Sequence, residues 1–140
     1  MRTVLSDELQ NMSKKKLPKL STMRNKCDAT LTPIIKLMYP NSMFGGQTEV
    51  AHHFCKKSQS NRLRYEIDNL IPLTHAQHQA LHNNESMYSG KIVDIKGMDW
   101  FRNLERMKQE YVKCDVHWYM KNYDRLATIL LKLNSEKFNG

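Results

Sequence analysis

Long apolar runs are missing from this chain: nowhere do about 18 apolar residues follow one another, the least that crosses a membrane as a helix. The opening stretch, Met1 to Gln10, also lacks the basic-then-apolar order of a secretory signal. A soluble, cytoplasmic protein with no membrane partner is therefore expected. Cysteine is scarce. Cys27, Cys55 and Cys114 are too few and too scattered for a disulfide framework, and none stands in a C-x-x-C pair, so they read as reduced thiols. No internal repeat, low-complexity tract or dividing linker interrupts the 140 residues, a length that suits one domain able to bury its own core. Acidic residues are outnumbered by basic ones, 14 to 22, and the formal net charge of +8 favours a polyanionic partner. Nucleic acid leads, with an anionic membrane surface behind it.

Residues 1–25 are polar and basic, with Lys14, Lys15 and Lys16 before a Leu-Pro step, and they read as a loosely ordered arm. Residues 26–140 then form the single domain. Leu31 to Met38 predicts a short helix, with Thr32 and Pro33 in its first turn and Pro40 as its stop, and Gly45-Gly46 a turn. Thr48 to Phe54 and Asn69 to Leu73 predict two short strands that pair antiparallel. A polar, basic loop separates them. Thr74 suits the N-cap of a helix over His75–Asn83. Ile92 and Ile95 fall on one face of a helix ending at Gly97, and Trp100, Phe101, Leu104, Met107 and Tyr111 recur at helical spacing. Asp115 can cap a last amphipathic helix with a stripe of Val116, Tyr119, Tyr123, Leu126, Leu130 and Leu133. That stripe reads as core or as a homodimer interface. The fold class expected is α+β, mostly helical.

What the chain does have is clustered histidine: five of its six fall between His52 and His82, with His117 apart. His78 and His82 are four apart on the predicted helix, so both imidazoles leave one face and suit one cation. His52 and His53 are adjacent on a predicted strand, where successive side chains point to opposite sides. Both serve one site only if the strand end is distorted or their roles differ, and the reading taken is different roles: one a metal ligand, one a base. Either pair alone also suits ordinary strand or helix-surface histidines. His75 reads as a helix-start residue and His117 as structural. Lys56, Lys57, Arg62 and Arg64, on the loop between the strands, are placed for phosphate contact. No segment reads as a base-reading helix, so weakly specific or structure-selective binding is expected.

The segments Val50-Ala51-His52-His53-Phe54, Asp68-Asn69-Leu70-Ile71-Pro72-Leu73 and His78-Gln79-Ala80-Leu81-His82 together resemble the HNH endonuclease family. Its ββα-metal motif has two strands and a helix, here over about 48–84, with the C-terminal helices of about 86–135 packed around it. The resemblance implies that His52, His78 and His82 hold one divalent ion, Mg²⁺, Mn²⁺, Ni²⁺ or Zn²⁺. It further implies that His53 is the general base, that Asn69 pins the loop orienting His53, and that DNA is cut to 5′-phosphate and 3′-hydroxyl ends. The stretch from Lys96 to Tyr111 is similar to the tail of phage NinG-type recombination nucleases, which implies branched DNA and a bacterial or phage-infected cell.

The chain departs from many family members in one respect. Where two C-x-x-C pairs would hold a structural zinc, it has Ser42, Gly45, Thr74 and Gln77, so no structural zinc is expected and packing alone is to hold the fold, with Trp100, Phe101, Trp118 and Tyr119 supplying core. The alternative reading is a non-catalytic DNA-binding or assembly protein on the same scaffold. A further one is a basic helical interaction module whose histidine cluster is accidental.

Overall fold

Four consecutive residues, Leu70-Ile71-Pro72-Leu73, are all buried, so helices must cover both faces of whatever they form. In the computed structural model, which describes residues 16–139, they are strand β2, paired antiparallel with β1, Val50–His53. The register sets Val50 against Leu73, Ala51 against Pro72, His52 against Ile71 and His53 against Leu70. Residues opposite one another share a face. Ile71 and Leu73, with Val50, therefore pack on one side with Leu81 and Ile92, while Leu70, with Ala51, packs on the other with Met23, Ile35 and Leu126. Pro72 has no N–H to give the ladder, and its carbonyl accepts instead from the Met43 N–H at 2.9 Å.

Five α-helices form the two outer layers among the described residues. Helix α1 is Leu20–Met38, α2 His75–Asn83, α3 Glu85–Lys96, α4 Met98–Lys108 and α5 Val116–Asn139. The largest helix–helix contact is between α1 and α5, which close one face of the sheet together. α2, α3 and α4 cover the other. Thr74 caps α2: its hydroxyl accepts from the Gln77 N–H at 3.1 Å, and the Gln77 side-chain oxygen accepts from the Thr74 N–H at 2.9 Å. Asp115 caps α5 through the Trp118 N–H at 2.9 Å. Gly97 ends α3 at φ 97°, a conformation that favours glycine.

The sequence places the start and end of α2 and the α3 stop where the structure has them, and the strands to within two residues, with Asn69 ending a short 3₁₀ turn before β2. Three expectations need correction. First, α1 starts at Leu20, so residues 20–25 are not an arm, and Pro33 lies inside the helix rather than in its first turn. Met23, Cys27, Thr30, Leu31, Ile34 and Ile35 are all buried at three- and four-residue steps. Burying a large apolar side chain contributes about 1.5–3 kcal/mol, so several together outweigh the roughly 3 kcal/mol that an interior proline costs. Pro33 itself is on the exposed side. Lys16 is exposed coil, and Lys14 and Lys15 lie outside the described residues. Second, Ile92 is fully buried but Ile95 is 57% exposed, so the two do not share a packed face. Third, α4 stops at Lys108 and Tyr111 is 89% exposed, outside the apolar stripe.

Of the four aromatic residues expected in the core, Trp100, Trp118 and Tyr119 pack with it, whereas among the described residues Phe101 joins none of its clusters and meets the Phe54 ring at 6.2 Å between centroids. Trp100 meets Phe54 edge-on at 4.8 Å between ring centroids and donates its indole N–H to the Asp68 carbonyl at 2.9 Å. Tyr119 is buried, and Trp118 lies 5.6 Å from the Tyr65 ring. The four positions 42, 45, 74 and 77 also meet. The Ser42 hydroxyl donates to the Gln77 side-chain oxygen, and the Gln77 amide donates to the Gly45 carbonyl at 2.7 Å. The turn and the start of α2 are thus tied by hydrogen bonds, not by packing alone.

Candidate active site

Alternation along β1 decides the direction of its two histidines. His52, on the face shared with Ile71, points to α2, where its ring lies 5.1 Å from that of His78 and 6.2 Å from that of His82. His53, on the opposite face, points to the loop between the strands, and its Nε2 lies 2.9 Å from the Arg64 carbonyl oxygen. Because β1 ends at His53, both rings still line one cleft of about 480 Å³ with His78, His82, Lys56 and Lys57. Asp28 and Glu85 are in the same wall.

The imidazole set fits a metal in its chemistry. His52 is 8% exposed, and burial, followed by the neighbouring His78, His82 and His53, pushes its pKa down to about 3. Burial also lowers His78, with His82 and His75 adding to the effect. Both are neutral at physiological pH, the form that offers a lone pair. His78 Nε2 and His82 Nε2 are 3.2 Å apart, close to the ~3 Å separation of two nitrogens that each lie about 2.1 Å from one ion. Among the described residues, no group of three or more His, Cys, Asp or Glu side chains is drawn together, as it stands, to hold a metal ion. His52 is the member that stands back.

A carbonyl oxygen only accepts, so the bond to Arg64 requires that His53 carry its proton on Nε2. Nδ1 is then the acceptor, on a ring whose pKa burial lowers against the opposing effect of that same hydrogen bond. The loop that provides the carbonyl is itself held. Asn69, fully buried, donates through Nδ2 to the Cys55 and Leu63 carbonyls, both at 3.1 Å, and accepts at Oδ1 from the Cys55 N–H at 2.8 Å. Asn69 therefore closes the loop on the residue next to Arg64.

The basic residues of the loop divide. Lys56 and Lys57 line the cleft, Lys56 in an ion pair with Glu85 at 2.8 Å. Arg62 and Arg64 do not line it, contrary to their expected place beside the histidines. Arg64 makes a two-point pair with Asp28, Nε to Oδ1 at 3.1 Å and Nη2 to Oδ2 at 2.7 Å. Arg62 bonds Glu110 at 2.7 Å and Glu66 at 3.2 Å and lines a separate groove with Trp118 and Arg125. Each guanidinium has acidic partners that a phosphate would have to displace. His75, exposed at the start of α2, gives its backbone N–H to Glu49, and His117 is exposed on α5.

Two cleft residues were not anticipated. Glu85 Oε1 stands 3.8 Å from His82 Nδ1, and the Lys56 ammonium holds its carboxyl below the usual range. Its spacing three residues after His82 was a usable signal, obscured by the break between α2 and α3 at Asn84. Asp28 comes from α1 and no local pattern marks it. Compared with known proteins, the chain matches no family model, and no curated protein and no solved structure is significantly similar to it.

Proposed function

We propose that this protein is a metal-dependent endonuclease of the HNH (ββα-metal) class, hydrolysing DNA to 5′-phosphate and 3′-hydroxyl ends. The observation that carries the reading is the bond from His53 Nε2–H to the Arg64 carbonyl, which leaves Nδ1 as the proton acceptor of a ring that lines one cleft with His52, His78 and His82. In this reading Nδ1 takes a proton from water, a contribution of about 10²- to 10⁴-fold in rate. The three other histidines would hold a divalent ion, which would supply charge stabilisation at the scissile phosphate and the departing 3′ oxygen. Asn69 keeps the loop carbonyl in place, and Lys56 and Lys57 attract the backbone of the strand to be cut. The net charge of +8 supports a polyanionic substrate. Because no segment of the sequence reads as a base-reading helix, branched or nicked DNA, as in phage recombination, is the substrate proposed.

Plasmid nicking by the wild type beside His53→Ala, with EDTA, Mg²⁺, Mn²⁺, Ni²⁺ and Zn²⁺ in parallel, tests this. Expected is metal-dependent cutting that His53→Ala loses while it still binds the ion, and weakened metal binding in His82→Ala. A wild type that binds DNA and never cuts under any ion would instead point to a non-catalytic DNA-binding scaffold.

A further inference from the structure

The bond that orients His53 ends on a peptide carbonyl in a long loop, so its geometry is only as good as the anchorage of Arg64. Asn69 holds the preceding residue, through the Leu63 carbonyl. Within the loop the Arg64 N–H donates to the Asn61 carbonyl at 3.2 Å, and Arg125 on α5 donates to the Tyr65 carbonyl. The Arg64 and Tyr65 side chains are held from α1. Asp28 accepts from two nitrogens of the Arg64 guanidinium, Nε and Nη2, and its Oδ1 also accepts from the Tyr65 hydroxyl at 2.8 Å. Two consecutive loop residues are thus tied to one carboxylate, and the guanidinium lies 5.7 Å from the Tyr65 ring centroid. Burial alone would raise Asp28, but the Arg64 and Tyr65 hydrogen bonds outweigh it and keep the carboxyl below its usual range. The Arg64 side chain is 15% exposed, so this charge-assisted, two-point pair is shielded from most of the screening that weakens surface pairs.

We propose that Asp28 is a positioning residue for His53: through Arg64 and Tyr65 it fixes the carbonyl that holds the Nε2–H tautomer and aims Nδ1 into the cleft. The proposal rests on the nuclease reading for its kinetic consequence but not for its structural one. Asp28→Asn keeps the shape and removes the charge that holds the guanidinium at two points. It also raises the net charge of a DNA-binding protein, which by itself favours substrate binding. A loss of turnover with KM unchanged or lower therefore cannot come from weaker attraction of DNA.

The experiment compares wild type, Asp28→Asn, Asp28→Glu, Arg64→Lys and the Asp28→Asn/Arg64→Lys double variant. Read in each are kcat and KM on plasmid DNA, Zn²⁺ affinity, thermal midpoint, and the proton position on His53 from two-bond ¹H–¹⁵N correlation spectra. A misplacement of about 1 Å costs up to about 10²-fold. Expected for Asp28→Asn is a fall in kcat of about tenfold or more, KM and Zn²⁺ affinity within about twofold of wild type, and a His53 signal moved from pure Nε2–H towards a mixture of tautomers. Asp28→Glu is to recover part of both. Arg64→Lys keeps its charge but cannot span both carboxylate oxygens, so it is to match Asp28→Asn, and the double variant is to be no worse than either single one. Wild-type kcat with an unmoved His53 signal overturns the proposal, as does a lower thermal midpoint with the His53 signal unmoved, or losses that simply multiply in the double variant. If the wild type cuts nothing, the nuclease reading fails by itself, and the His53 spectra still decide whether Asp28 sets its tautomer.

Discussion

Asn69 satisfies three loop groups at once in a site closed to water: the Cys55 N–H and the Cys55 and Leu63 carbonyls. Asn69→Ala would leave them unpaired, and each orphaned buried group costs about 1–3 kcal/mol, so a loss of about 2–4 kcal/mol is expected by urea denaturation, with nicking lost as the loop releases Arg64. Asn69→Asp removes both amide donors and sets a carboxylate against two carbonyls, and is expected to be no better. A change under about 0.5 kcal/mol in either variant would mean that the loop is held by something else. At this scale the sequence was informative where the chemistry is local. The i, i+4 spacing of His78 and His82 puts their rings 4.5 Å apart, and strand alternation sends His52 and His53 to opposite faces of the sheet. It was misleading for Arg62 and Arg64, whose charge reads the same whether a phosphate or a carboxylate waits for it.

Between the turn at positions 42–46 and the first turn of α2, Gln77 is the common member. It closes the capping box with Thr74, accepts from Ser42 and donates to the Gly45 carbonyl. Gln77→Ala removes all three side-chain bonds while leaving a good helix former, so the cost is expected to be about 1–2 kcal/mol in the urea midpoint, and Zn²⁺ affinity is expected to fall because the helix carrying His78 and His82 loses its anchor. An unchanged midpoint would show the tie to be incidental. Elements with local signals are legible: the Thr74 and Asp115 caps, the Gly97 stop and the two short strand runs all depend on residues within about four positions. Helix α1 was half-read because Pro33 imitates a helix start, and only the burial of Met23 and Cys27 against α5 carries the helix back to Leu20.

Taken whole, the molecule buries ionisable groups in a defined form, and this makes its stability depend on pH. His52, His53 and His78 all have lowered pKa values in the fold, whereas an unfolded imidazole takes its proton near about 6.5. The unfolded chain therefore binds protons first as pH falls. For the metal-free protein, stability is complete above about 6.5 and is lost from there down towards the lowered values, about 3 for His52, at up to about 1.4 kcal/mol per pH unit for each proton. Asp28, also lowered, adds a loss of the same sign at more acid pH. Urea midpoints at pH 7.5 and pH 5 should differ clearly, the lower one at pH 5, and equal midpoints would mean that these histidines are not held neutral by the fold. The mostly helical α+β class and the pairing of β1 with β2 could be read from residue order, because apolar periodicity, caps and turn residues act over a few positions and survive in any context. Which charges meet could not. Asp28 with Arg64 and Arg62 with Glu110 join residues 36 and 48 positions apart, and Glu85 reaches the cleft across a helix break. Such partners are chosen when separate helices pack on the two faces of the sheet, since an exposed charge carries no local preference for one opposite charge over another until burial brings a particular pair together.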